Sequence, residues 1–273
     1  MGDGQHGNSI LMIMEHPISQ NKKITVMIQT RTGSSRLPSK VLAKIENRPM
    51  IWHVINRVKK IKTVQQIALI TTREKNDKVL LKIAKNNKII GFAGDKNDVL
   101  NRHYQCALLY RADPIIRITS DCPLIDPRLV EKMLQFYLAH DYDYVCNVLP
   151  RTYPDGLDAE IFSFKLLKKV TNTAKLKSDR EHVTTCIRNN PHKFKIFNYK
   201  NDCDLSNLRW TVDEKRDLKF VRKIYSEMRP KVIFSIQDVL EVITKNPKIS
   251  EINRNIMRNE GYLKSLKKDR IIK

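Results

Sequence analysis

Ile24-Thr25-Val26-Met27-Ile28-Gln29 runs directly into Thr30-Arg31-Thr32-Gly33-Ser34-Ser35-Arg36-Leu37-Pro38-Ser39-Lys40. The first six residues form a short run dominated by apolar and β-branched side chains, which fits a strand. The next eleven are small, polar or basic, so the strand ends in a loop. Gly33 and the serines let the backbone approach a phosphate closely, and a strand end presents N–H groups to receive one. Arg31, Arg36 and Lys40 add charge-assisted hydrogen bonds, arginine being suited to two oxygens at once. A triphosphate needs this combination of close backbone and several cations. The segment is not a Walker A loop, because the G-x-x-x-x-G-K-[ST] spacing is absent. A solvated turn that is merely basic is the competing reading, since three cations in ten residues come easily in so basic a chain.

Outward from this junction, short apolar runs alternate with segments of helical period. Helices are predicted over 50–60, 75–86, 97–111 and 127–140, with Pro127 placed at a first helical turn. Strands are predicted over 66–71, 88–92 and 114–119. This order implies a mainly parallel sheet covered on both faces, an α/β fold. Ligands of such sheets bind at the carboxyl ends of strands, so the loops after Gln29 and Thr119 are the places to search. Residues 142–212 break the alternation: strands over 142–147, 157–162, 193–199 and 208–211 and a helix over 179–189 suggest a small mixed α+β insertion. Helices over 213–228, 235–245 and 251–259 are expected to close the chain. The domain reading is a loose tail over 1–22, one domain over 23–246, and a C-terminal helix with a basic tail over 247–273.

A chain of 273 residues is long enough for one such domain and an appendage. Its 51 lysines and arginines against 29 acids give a net charge of +22, which would suit a nucleic-acid binder. The surplus is spread along the chain, however, and no helix-turn-helix, RNP-type or finger pattern accompanies it. Nucleic-acid binding is therefore not the expected main function. No apolar run approaches the roughly 20 residues that span a bilayer. Residues 10–14 are too short for a signal-peptide core and lack a basic segment ahead of them. Cys106, Cys122, Cys146, Cys186 and Cys203 form no CxxC pair. Free thiols in a reducing cytoplasm are expected, rather than a zinc site or a disulfide framework.

Two further segments carry acids at the ends of expected strands. In Thr119-Ser120-Asp121-Cys122-Pro123-Leu124-Ile125-Asp126, Asp121 is well placed to hold a divalent cation, although a plain turn residue is the commoner role. Asp126, just before Pro127, reads as a helix N-cap. In Arg209-Trp210-Thr211-Val212-Asp213-Glu214-Lys215-Arg216-Asp217, Asp213 could hold the same cation or cap the following helix. Asp217 could assist the metal or lie on a solvated helix face. Tyr153-Pro154-Asp155-Gly156 is strong turn chemistry. Asp158 and Glu160 alternate and would project to one side of a strand. Arg102 is a candidate nucleotide contact, with a solvated helix face as the alternative.

Taken together, these segments resemble a known family. The string QTRTGSSRLPSKVL (29–42), followed by RPMIWHVINRV (48–58), is similar to the start of the cytidylyltransferases related to spore-coat polysaccharide biosynthesis protein F. Those are relatives of the 3-deoxy-manno-octulosonate and acylneuraminate cytidylyltransferases. The resemblance continues in order through 94–107, 117–130, 142–147, 152–163, 179–184 and 209–221, covering roughly residues 24–245. It implies a Rossmann-like (GT-A-like) nucleotidyltransferase sheet, CTP as nucleotide, Mg²⁺ as cofactor and an acidic sugar or similar small acceptor in surface glycan biosynthesis. By the same resemblance Asp121 and Asp213 are the metal acids. Gln29, Arg31, Gly33, Ser34, Arg36, Lys40 and Arg102 meet the nucleotide, with Arg31 and Lys40 also counted as catalytic. Glu160, Arg180 and His182 face the acceptor, in a region that also helps form a homodimer. Acceptors such as alcohols, phosphates or phosphonates, other nucleotides, or an inactive nucleic-acid-binding relative stay open as alternatives. The family usually has glycine where this chain has Ser39; serine fits there if its φ stays negative.

Overall fold

The computed structural model describes residues 21–256, 258, 260, 265–267 and 269–271. Most of the expected N-terminal tail, and parts of the expected C-terminal helix and basic tail, lie outside the described residues.

β1 (Lys23–Gln29) is central because its middle is apolar on both faces: Val26, Met27 and Ile28 are fully buried. A hairpin of β2 (Lys44–Ile45) and β3 (Arg48–Pro49) follows the basic loop. Then α1 (Met50–Val58), β4 (Gln66–Thr72), α2 (Lys78–Asn86), β5 (Ile90–Gly94), α3 (Val99–Tyr110), β6 (Ala112–Thr119) and α4 (Pro127–Ala139) alternate. Next come β7 (Tyr144–Cys146), β8 (Glu160–Phe162), α5 (Phe164–Thr173), α6 (Lys177–His182), α7 (Thr185–Arg188) and β9 (Ile196–Asn198). The last elements are α8 (Lys215–Glu227), α9 (Ile236–Lys245) and α10 (Lys248–Glu251).

Seven strands form one sheet in the order β5-β4-β1-β6-β8-β7-β9. β8 runs antiparallel to both neighbours, and the remaining pairs are parallel. The expected mainly parallel α/β sheet is thus present. Alternation along β1 sorts the core into two layers. Val26 and Ile28 pack with Met50, Ile51, Val54 and Val58 of α1, whereas Met27 packs with Leu100 of α3 and Leu166 of α5. From β1 the chain steps outward to β4 and β5, then returns to place β6 on the other side of β1. That reversal opens a crevice at the carboxyl ends of β1 and β6, where doubly wound sheets bind ligands.

The region 142–212 departs from its reading in detail. Its three strands extend the main sheet, and each is shorter than expected. The strand expected over 208–211 is reduced to one bridge, between Asp155 and Arg209. The helix expected over 179–189 is two short helices, broken where Val183 takes a φ of 66°. α5 had no counterpart in the sequence reading, although Ser163 caps it by accepting from Leu166 N at 3.1 Å.

Candidate active site

A cleft of about 480 Å³ lies at the crevice between β1 and β6. Three loops build it: the basic loop after β1, the Thr119–Asp121 turn after β6, and the segment leading into α8. Sequence-distant loops need a fastener, and here it is backbone: Val212 N donates to Asp121 O at 2.9 Å. The Thr211 hydroxyl adds a second bond to the same carbonyl at 3.2 Å. Asp213 is thereby carried to the side of Asp121.

Lys40 occupies the space between the two acids. Its Nζ lies 3.0 Å from Asp121 Oδ2, 2.7 Å from Asp213 Oδ1 and 2.8 Å from Val212 O. Burial alone would lower the Lys40 pKa, but the two carboxylates outweigh it and the value is raised. Burial likewise works against the Asp121 carboxylate, yet Lys40 and the Thr119 hydroxyl hold its pKa below the ordinary carboxylate range. Asp213 receives Arg36 at 3.0 Å and Arg209 at 3.1 Å on its other oxygen.

The alternatives left open for the acids are resolved in part. Asp126 is the N-cap of α4, accepting from Arg128 N at 2.8 Å, and it also accepts from Ile236 N at 2.8 Å. Asp213 is not the cap of α8; that position belongs to Glu214. Asp217 does not lie on a solvated face. It is fully buried, pairs with Arg209 at 2.9 Å and accepts from the backbone N–H of Asp213 and Glu214. Asp217 therefore shapes the loop and leaves the Asp213 carboxylate turned to the cleft.

Gln29, Arg31, Gly33, Ser34, Arg36, Lys40 and Arg102 all line the cleft, as do Asp121, Asp213 and His182. A Cβ built on Gly33 would meet nothing within 4 Å, so its missing side chain leaves room rather than relieving a clash. Arg102 is buried on α3, not solvated. Its Nη1 donates to Asp95 O at 3.0 Å, and burial together with nearby Arg31 lowers its pKa to about 10. Gly94 makes room for it, since a Cβ there would stand 2.8 Å from Arg102 Cγ. Ser39 corrects the expectation of a negative φ: it sits at φ 54° and ψ 28°, in the left-handed region. This conformation bends the loop so that Ser39 N reaches Thr32 O at 3.1 Å while Ser39 O accepts from Leu42 N at 2.8 Å.

The acceptor candidates divide. Arg180 does not line the cleft; its guanidinium pairs with Asp98 at 3.3 Å. His182 lines the cleft and meets Ser265 Oγ at 2.5 Å, and burial with Arg117 and Arg188 lowers its pKa to about 4. Its imidazole is therefore neutral near pH 7. Glu160 lies in an adjoining chamber of about 180 Å³, which shares Thr119 and His182 with the cleft.

Sequence reasoning missed Asp77. This buried carboxylate accepts from Thr32 N at 2.8 Å, Thr32 Oγ1 at 2.6 Å and Thr72 Oγ1 at 2.5 Å, anchoring the basic loop to the end of β4. Burial opposes its charge, but these donors lower its pKa. Arg209, whose role no local pattern reveals, joins Asp155, Asp213 and Asp217. Gly156, read as turn chemistry, has φ 110°, and a Cβ there would fall 2.5 Å from Thr211 N. The Pro-Asp-Gly turn is what lets the Asp213 segment seat.

Residues 25–262 match the sequence profile of a family described as Cytidylyltransferase. The chain belongs to the cytidylyltransferase family. This cytidylyltransferase is similar to a solved cytidylyltransferase from Leptospira borgpetersenii, at 33% identity and a TM-score of 0.82, covering 87% of this chain and 99% of that one. It is 27% identical to the spore coat polysaccharide biosynthesis protein SpsF of Bacillus subtilis, over 82% of this chain and 95% of the relative. It is also 30% identical to 3-deoxy-manno-octulosonate cytidylyltransferase 2 of Hydrogenovibrio crunogenus, over 55% of this chain and 61% of that protein. By family, then, the protein is a nucleotidyltransferase. No helix among its described residues is long and apolar enough to cross a membrane.

The donor set of the cytidylyltransferase suits a hard cation. Among the described residues no group of three or more His, Cys, Asp or Glu side chains could hold a metal alone. Asp121 and Asp213 offer two carboxylates to the cleft, a donor set that suits Mg²⁺ when phosphates and water complete its shell. Neighbouring Cys122 is no competitor, because burial and Asp121 push its thiol pKa well up and keep it protonated.

Proposed function

We propose that this cytidylyltransferase transfers CMP from CTP to a sugar acid, releasing pyrophosphate, with Mg²⁺ as cofactor. The observation that carries the reading is the convergence of Asp121 and Asp213 on Lys40, in a cleft also lined by Arg31, Arg36 and Arg102. In this reading Arg31, Arg36 and Lys40 hold the β- and γ-phosphates, and the small residues around Gly33 let the triphosphate approach the backbone. An acceptor hydroxyl attacks the α-phosphorus, the bond to the β-phosphate bridging oxygen breaks, and pyrophosphate leaves. No enzyme nucleophile is required, so alignment and charge neutralisation carry the chemistry. Mg²⁺ on Asp121 and Asp213 would supply charge neutralisation at the α-phosphate and a lowered hydroxyl pKa. The sugar-acid acceptor is supported by the names of the relatives and by the arginine-lined chamber beside the cleft.

The test is pyrophosphate release with each of the four ribonucleoside triphosphates against a panel of sugar acids, alditol phosphates and neutral sugars. Release confined to CTP with a sugar acid is expected. Release with a neutral or phosphorylated acceptor, or with another triphosphate, would replace this reading with the corresponding one.

A further inference from the structure

A second concave site lies apart from the cleft, and it starts from a pattern on α8. Lys219, Arg222, Lys223 and Ser226 recur at spacings of three and four and form one exposed stripe, while Leu218, Val221 and Ile224 turn into the core. The β2–β3 hairpin packs against this stripe, and Arg222 Nε donates to Lys44 O at 2.8 Å. Its turn residues Glu46 and Asn47 have φ of 45° and 62°, the left-handed pair that a two-residue hairpin turn requires. α10 packs on α8 as well. Together the three elements enclose a groove of about 710 Å³, with Ile249 and Ile252 in its lining. It shares no lining residue with the nucleotide cleft.

The groove is lined by six cations, Lys44, Lys219, Arg222, Lys223, Arg229 and Lys248, and by one acid, Glu46. Glu46 is taken by Arg229, whose Nε donates to it at 2.6 Å, and Lys223 pairs with Glu227 at 2.5 Å. Lys44, Lys219, Arg222 and Lys248 have no acidic partner among the described residues. Like charges three and four residues apart on a helix repel, so Lys219 with Arg222 and Lys223 works against α8. An anion relieves that repulsion, and a ligand with several charges meets the four cations together. No aromatic ring lines the groove among the described residues, so a base has nothing to stack on. Its concave form and volume fall within the range of about 300–1,000 Å³ typical of small-molecule sites, which favours a compact anion over a duplex or a bilayer.

We propose that this groove binds an oligophosphate, a compact ligand with two or more linked phosphate groups, through Lys44, Lys219, Arg222 and Lys248. The site is independent of the transfer reaction proposed above. Inorganic oligophosphates and the phosphate chain of a nucleotide share this chemistry.

The experiment is calorimetric titration of inorganic triphosphate into the full-length protein and its Lys219→Gln, Lys248→Gln and Arg31→Gln variants. Neither lysine makes a side-chain hydrogen bond among the described residues, and urea unfolding midpoints at or above wild type check that both variants fold. Triphosphate is expected to bind wild type, and each lysine variant should weaken a binding component about tenfold, the size of a lost charged hydrogen bond. Arg31→Gln, altered in the cleft, should leave that component unchanged. Orthophosphate should bind it at least about tenfold more weakly, because one phosphate meets fewer of the cations. Displacement of triphosphate from this component by ATP would identify a nucleotide as an admitted source, and indifference to ATP would restrict the groove to inorganic chains; either sustains the proposal. No triphosphate binding, binding indifferent to both lysine variants, or orthophosphate binding as well as triphosphate would overturn it. So would an oligonucleotide duplex or a phosphatidylglycerol vesicle that binds through the same lysines more tightly than triphosphate.

Discussion

Lys40 donates to Asp213 across 2.7 Å, and this one contact joins the loop after β1 to the segment ahead of α8. The same ammonium reaches Asp121 at 3.0 Å, so a single side chain gathers all three loops of the cleft. Lys40→Met is expected to lower turnover by about a hundredfold or more, the scale seen when one preorganised electrostatic group is removed. Arginine should not restore it, because a planar fork does not fit where a compact ammonium meets three oxygens. Steady-state pyrophosphate release checks both variants. Activity within a few-fold of wild type in Lys40→Met would remove Lys40 from the reaction.

Ser39 holds a left-handed conformation that costs a non-glycine residue about 1–2 kcal/mol. Ser39→Gly is therefore expected to stabilise the protein, by about 0.5–1 kcal/mol after glycine's greater freedom in the unfolded chain is counted. Ser39→Val should destabilise it, since a β-branched residue tolerates φ of 54° poorly. Urea unfolding of the three proteins gives the order directly, and a less stable glycine variant would contradict the strain argument.

Asp77 holds Thr32 of the basic loop by two bonds and Thr72 of β4 by a third. Asp77→Ala leaves buried donors unsatisfied, at about 1–3 kcal/mol for each. Because Asp77 touches the loop rather than the cleft, the expected kinetic signature is a raised KM for CTP, with an acceptor KM close to wild type. A change confined to the acceptor KM would show that the loop does not depend on this anchor.

How much was legible follows from where each signal resides. The strand ending at Gln29, the loop after it and the acids Asp121 and Asp213 were readable because each lies in a local pattern, an apolar run ending in small or charged residues. Asp77 gave no such signal, since its meaning comes from Thr32, distant in sequence and brought near only by the parallel pairing of β1 with β4. Arg180 was placed by motif, yet its partner Asp98 belongs to α3, a pairing set by helix packing. The short strands of 142–212 were overextended because apolar alternation does not reveal where a partner strand stops. Val183 broke a helix that its periodicity had joined.

Glu160 carries the pH dependence. Burial opposes its charge, but Arg117 and Arg188 hold its pKa down at about 2, below the ordinary value near 4.3 for glutamate. A carboxylate depressed in this way adds stability that is fully present above its unfolded pKa and is lost as pH falls through its folded pKa. Wild type should therefore exceed Glu160→Gln in stability by a constant margin above about pH 5. That margin should shrink between roughly pH 4 and pH 2 and be gone below it. Denaturant unfolding across this range measures it, and a margin independent of pH down to 2 would show that the ion pair does not govern Glu160.

The central claim is that Asp121 and Asp213 form one reaction centre around Lys40, and it is tested most directly by rapid-quench single-turnover transfer of CMP. Wild type, Asp121→Asn and Asp213→Asn are compared with CTP, Mg²⁺ and the preferred sugar acid, and CTP affinity is measured in parallel. Each variant is predicted to bind CTP within a few-fold of wild type while transfer slows by about a hundredfold or more. Transfer at near wild-type rate in either variant would contradict the account.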